Sequence, residues 1–461
     1  MVTWCWRRSG SRCRCFSAQI IRKQRMKMRI LRRPLENKGS LAFLSGLGLA
    51  VAVSLISEAS FVASSEQILR KPIQSADLVP LEPRTLSEED LSTAKVAWRY
   101  FEANYREETG LVDSVAGFPS TTLWDQGSYL LGLLSARELD LIDVEQFEYR
   151  TTALLEALDR LELFEGKLPN KVYQTTSLNM VHYDNTPSPE GIGWSALDVA
   201  RMLMALRVLE IKHPERGLQI RAILSKWDLA AMTQQGRLIG ASRTGGETRY
   251  LQEGRIGYEQ YAARAAALWG LDVLEASSSA PILEWQQVES LLVPVDVRSS
   301  KSFGAITPTL SEPYLLQAFE LGLNAEGALF AARIYAAQAA RFANTGQLTM
   351  VTEDNIDRKP HFLYSSVFGN GDPWAVLTEK GDRHDALRTI SLKATIGWDA
   401  IYDTEYTQLA RNQLADLKRQ NGWAAGKYET DGSANEIVTL NTNAVILEAM
   451  HFVAHGPLAN Y

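Results

Sequence analysis

Six times along this chain a short polar or aromatic opening runs straight into an apolar stretch rich in small residues. The first three openings are Leu123-Trp124-Asp125-Gln126-Gly127-Ser128, Gly193-Trp194-Ser195-Ala196-Leu197-Asp198 and Gly257-Tyr258-Glu259. The last three are Ser311-Glu312-Pro313-Tyr314, Ser391-Leu392-Lys393 and Asn441-Thr442-Asn443. Between them lie segments with one charged and one apolar side, as at 145–163, 218–233, 325–343 and 403–419. A helix apolar all round must be buried all round, whereas a helix with one charged face is half exposed. The alternation therefore predicts an all-α fold in two layers, an (α/α)6 barrel of alternating inner and outer helices with minor β-hairpins. A small hairpin is expected where Leu238–Ser242 and Tyr250-Leu251 flank Gly245-Gly246. If the inner helices run in one direction, their six N-termini meet at one rim. Helix dipoles and free N–H groups there favour hydroxyl-rich or anionic ligands.

Charge and cysteine narrow the setting. The chain of 461 residues has a formal net charge of −6, but residues 1–39 carry twelve Lys/Arg and one Glu. The remainder holds 36 Lys/Arg against 53 Asp/Glu. So acidic a body argues against a nucleic-acid partner, which needs concentrated positive charge. The three cysteines are Cys5, Cys13 and Cys15, so the body has no thiol for a disulfide, a zinc site or a nucleophile. Arg29, Arg32, Arg33 and Lys38 precede the apolar run Leu41–Val53, with small residues around Ala59 and Ala63. This is the pattern of a secretory signal, with Met26 or Met28 as an alternative start. The other reading is a single uncleaved anchor in the inner membrane. Either way the body is expected to be periplasmic or secreted. Residues 1–64 are read as a targeting region, 65–86 as a linker, and 87–461 as the barrel.

Carboxylates beside aromatics carry the chemical signal. Glycoside hydrolysis needs one carboxyl kept protonated near neutrality and a second kept ionised. Glu259 opens an apolar helix between Tyr258 and Gln260, a setting that favours a general acid. Glu253, on the preceding loop, competes with it; its other reading is an ion pair with Arg255. Asp399 and Glu429 are candidates for the base. Trp124, Asp125, Gln126, Trp194, Tyr258, Trp398, Glu429, Asn441 and Asn443 are expected to bind substrate. Indole faces suit sugar C–H groups, and carboxylates and amides suit hydroxyls. Asp198 reads as a buried hydrogen-bond partner and Glu312, before Pro313, as a helix-start residue. The six histidines form no HExxH or paired ligand spacing, and GxSxG, Walker and GxGxxG patterns are missing. No metal or cofactor is expected.

Four motifs carry a resemblance. They are Trp124-Asp125-Gln126-Gly127-Ser128-Tyr129-Leu130, Leu168-Pro169-Asn170-Lys171-Val172-Tyr173, Gln252-Glu253-Gly254-Arg255-Ile256-Gly257-Tyr258-Glu259-Gln260-Tyr261 and Asn441-Thr442-Asn443-Ala444. With them the chain, from about Ala94 to its end, resembles the bacterial domain of unknown function 3131 family. More distantly its layout is similar to the glucoamylase-like and β-1,2-glucanase α/α barrels. That likeness implies an Asp-x-Gly segment at Asp125-Gln126-Gly127. It also implies a general acid in a Tyr-Asn-Glu-type segment, matched by Tyr258-Glu259 without the intervening Asn. The expected protein is an exported glycoside hydrolase acting on a glucan-like polysaccharide or oligosaccharide. Two alternatives stay open: a non-catalytic saccharide-binding or scaffold protein of an envelope polysaccharide system, and a polysaccharide lyase.

Overall fold

The computed structural model describes residues 73–459. The signal or anchor segment and the first part of the linker lie outside the described residues. The rest of the linker is laid against the helices, through Leu81 N–H to the Ile401 carbonyl (2.9 Å) and Arg84 N–H to the Val453 carbonyl (2.7 Å).

In chain order the main helices begin with α1 Glu88–Ala103, α2 Leu123–Glu138, α3 Val144–Arg160, α4 Ala196–Lys212 and α5 Gly217–Leu224. They continue with α6 Tyr258–Ala267, α7 Glu312–Leu316, α8 Ala325–Thr345, α9 Leu392–Tyr402, α10 Glu405–Leu414 and α11 Leu440–His455. A π-turn, Gln317–Leu321, extends α7. The apolar segments form a ring: α2 touches α4, α4 touches α6, and so on through α7, α9 and α11 back to α2. Every residue of α9 is buried, as its composition demands. Local chemistry sets the starts. Thr122 caps α2 by accepting the Asp125 N–H, and Ser195 caps α4 by accepting the Asp198 N–H.

The outer helices α1, α3, α5, α8 and α10 each pack one face on the ring. At α1, Ser87 and Asp90 form a reciprocal capping box. The outer layer departs from the expected six hairpins. Between α6 and α7 the chain runs through an antiparallel hairpin, Leu283–Val288 with Leu291–Asp296, whose second strand packs on α8.

Strand content is also larger than minor hairpins. The described residues include seven small sheets, so the fold is mainly helical with a substantial β component. The hairpin around Gly245-Gly246 is present as Arg237–Thr244 paired with Glu247–Gln252. The sheet centred on Gly422–Tyr428 was not foreseen. Its Gly- and Ala-rich sequence carries a weak strand signal, and flanking strands and α1 supply the packing.

Candidate active site at the rim of the helical ring

The first turns of the inner helices meet. Trp124, at the start of α2, is partly exposed, and its ring lies 5.5 Å from that of Tyr258 at the start of α6. Tyr258 donates its hydroxyl to Glu353, whose other oxygen accepts from Thr352 at 2.7 Å. At the start of α9, the Lys393 ammonium pairs with Glu312 from α7 and lies 3.5 Å from Asp354. It also donates to Asn441 Oδ1 at 3.1 Å, while Asn441 Nδ2 donates to Glu312 at 3.0 Å. Asp125 is partly exposed and accepts hydroxyls from Ser114 and Thr122. It feels the charges of Lys393 and Glu312 and is itself felt by Asp198. Five inner helices and the strand Glu353–Asn355 thus meet at one polar cluster, with Asp198 of α4 in electrostatic contact.

Burial sets the protonation pattern. It pushes Asp198 up to about 7, helped by the neighbouring Glu253 charge. It also pushes Asp354 up to about 7, against the pull of Lys393. Asp125 and Glu353 are raised for the same first reason. For Lys393, burial favours the neutral amine, but Glu312, Asp354 and Glu353 outweigh it and hold the ammonium. The Arg255 guanidinium carbon lies 4.8 Å from the ring centroids of both Tyr258 and Tyr364. Tyr183 is 65% exposed and within electrostatic reach of Asp198, Glu253, Glu379 and Tyr364.

Residues 92–456 match the family described as "Protein of unknown function (DUF3131)". The chain belongs to that family. Among curated proteins, no sequence matches it. Its fold is similar to an endo-β-1,2-glucanase from Chitinophaga pinensis, at 12% identity and TM-score 0.58, covering 81% of this chain and 94% of that one. A protein described as a candidate glucoamylase from Bacteroides caccae gives 13% identity and TM-score 0.58, covering 81% and 95%. An endo-β-1,2-glucanase from Talaromyces funiculosus gives 13% identity and TM-score 0.52, covering 79% and 84%. At such identity these likenesses speak for the fold alone.

The DUF3131 chain brings Trp124, Asp125, Tyr258 and Asn441 together, sets Glu253 in electrostatic contact with Asp198, and engages the other expected site residues in contacts of their own. Glu259, 3% exposed, accepts from Arg298 at 2.7 Å and from Gln252 at 3.3 Å. Glu253 forms no ion pair with Arg255; it accepts the Ala196 N–H at 2.6 Å and so caps α4. Asp399 pairs with Arg411 at 2.6 Å, and Glu429 is clamped by Arg341 and Arg388. Trp194 and Trp398 are fully buried, their indole N–H groups bonded to the Ile239 carbonyl and Ser311 Oγ. Gln126 bonds the Val112 backbone, and Asn443 ties the Trp423 backbone to α11. These contacts tie the polar groups to the framework, while Glu253 and Glu429 stay partly exposed.

Sequence reasoning gave no site role to Asp198, Glu312, Glu353 or Lys393. One signal was available. A lysine in the first turn of an apolar helix opposes the helix dipole, so Lys393 needs carboxylates nearby.

Proposed function

We propose that this DUF3131 protein is an exported (α/α)6-barrel glycoside hydrolase that cleaves a neutral glucan. The carrying observation is Asp198, a partly exposed carboxyl raised to about 7 by burial and by the charges of Glu253 and Asp125. A general acid must be protonated at the working pH and reach the leaving oxygen. In this reading Asp198 protonates the glycosidic oxygen. Asp125, oriented by Ser114 and Thr122, takes the proton of the attacking water. Its negative charge helps keep the proton on Asp198. Trp124 and Tyr258 offer aromatic surface to a sugar ring. Two similar folds belong to endo-β-1,2-glucanases, studied with sophorotriose and glucose and with sophorose, so β-1,2-glucan is the first substrate to try.

A neutral polymer suits this rim better than a uronate. Asp125, Asp198, Glu253, Glu312, Glu353 and Asp354 outnumber Lys393, Lys171 and Arg255, which weighs against a lyase acting on an anionic chain. The non-catalytic binding reading draws support from Lys393, which already engages Glu312 and Asp354.

The test is release of new reducing ends from β-1,2-glucan, with β-1,3- and β-1,4-glucans and a polyuronate alongside. Turnover lost in Asp198→Asn supports hydrolysis with Asp198 as acid. Binding without turnover supports the scaffold reading, and an unsaturated product supports a lyase. Export is tested by fractionation of cells producing the full chain.

A further inference from the structure

Beneath Trp124, at the centre of the ring, lies a charged group that the proposed chemistry does not use. Arg201 of α4 is completely buried. Its guanidinium pairs with Glu320 in the π-turn after α7 and with Glu448 of α11, the latter at 2.8 Å. It donates to Ser128 Oγ of α2 at 3.1 Å and to Tyr261 Oη of α6 at 2.9 Å. Tyr261 in turn donates to Glu320 at 2.7 Å. One side chain therefore fastens five of the six inner helices. Glu320 and Glu448 are as buried as the arginine.

The hub reaches the rim through one ring. The Arg201 guanidinium carbon lies 5.2 Å from the Trp124 ring centroid, and the Tyr261 ring lies 6.1 Å from it. A buried cation against an indole face gains from the ring quadrupole, more so where water is excluded. The geometry also depends on Gly127. A β-carbon there would sit 3.0 Å from Arg201 Cγ and 3.1 Å from its backbone carbonyl carbon. Glycine lets α2 lie close enough for Ser128 and Trp124 to meet the same guanidinium.

We propose that Arg201 is a positioning residue, whose five-helix anchorage fixes the orientation of Trp124 as the floor of the sugar-binding cleft. The role in sugar binding rests on the glucan reading above; the control of Trp124 does not. Burial alone explains why an arginine in the core has acidic partners. It does not explain why the partner-locked face lies under the one partly exposed aromatic among the cluster's inner-helix residues. Lysine could supply the charge but not a planar fork with donors in fixed directions.

The test uses the protein labelled with 5-fluorotryptophan, with the Trp124 resonance assigned by its loss in Trp124→Phe. Two variants probe the hub. Arg201→Lys keeps a positive charge and loses the fork. Ser128→Ala removes one hydroxyl that orients the guanidinium, keeps every charge, and is the variant expected to fold without difficulty. The expected result is a moved or broadened Trp124 resonance in both, larger in Arg201→Lys, with the other ten tryptophan signals nearly unchanged. An unmoved Trp124 resonance in folded Ser128→Ala and Arg201→Lys overturns the proposal. Where the wild-type chain cleaves glucan, KM should rise by about tenfold in Arg201→Lys while kcat changes by less than about threefold, the mark of lost binding contact. Equal KM in an active variant with a moved resonance also overturns it. A moved resonance in a wild-type chain that cleaves no glucan leaves the positioning role standing and sinks the hydrolase reading instead.

Discussion

Arg298 holds the Glu259 carboxylate at 2.7 Å, while the adjacent Tyr258 donates its hydroxyl to Glu353. The same guanidinium group pairs with Asp296 at 2.6 Å. Glu259 is thereby held in an ion pair, while burial raises its carboxyl above the ordinary range. Glu259→Gln should cost about 1–2 kcal/mol, because a charge-assisted bond becomes a neutral one while Asp296 still neutralises Arg298. Turnover should fall by less than about tenfold. Thermal melting and initial rates check both; loss of all activity in a folded variant would return Glu259 to the acid role.

Asp198 gives a pH profile. Its carboxyl is protonated below about 7, so activity dependent on it as a general acid should decline as pH rises through about 7. Stability follows the same proton. The folded value lies above the ordinary 3.8, so the folded chain binds a proton that the unfolded chain has released. This group therefore makes stability fall as pH rises from about 4 to about 7. Asp198→Asn removes that slope. The variant should be inactive, yet its melting temperature should gain on the parent's as pH is raised across this window.

Lys393 is the cation that allows Glu312, Glu353 and Asp354 to share one buried place. Lys393→Met leaves their charge uncompensated, at a cost of about 3–5 kcal/mol near neutral pH. The deficit should shrink at pH 5, where Asp354 takes up a proton in the parent as well. Denaturant titrations at the two pH values measure it.

Glu253→Ala should destabilise by about 1–3 kcal/mol without touching the acid directly. It strands the buried Ala196 N–H that opens α4. It also removes the charge that helps raise Asp198, so the falling limb of the rate profile should move to lower pH. A limb that stays in place would separate Asp198 from the observed titration.

The division between legible and hidden runs through individual residues. The openings Leu123–Ser128 and Gly193–Asp198 could be read as helix starts because such signals act over three residues, and Thr122 and Ser195 supply the caps there. The hairpin at Gly245-Gly246 was legible for the same local reason. Trp398 was not. Beside Gly397 it resembled a junction residue, but α9 is buried all round and the ring stacks on Tyr402 instead. Glu429 and Asp399 looked free because Arg341, Arg388 and Arg411, which neutralise them, stand elsewhere in the chain.

The sequence by itself determined the alternation of apolar and amphipathic helices, and hence that polar helix starts surround a buried ring. Helical period and capping are encoded within a few neighbouring positions, so no fold is needed to read them. Only the tertiary structure decided which carboxyl keeps a proton. That depends on burial and on partners brought together from far along the chain, as Arg201 and Glu448 are across 247 positions. Electrostatic energy follows distance in space and the exclusion of water, and neither is written in local order.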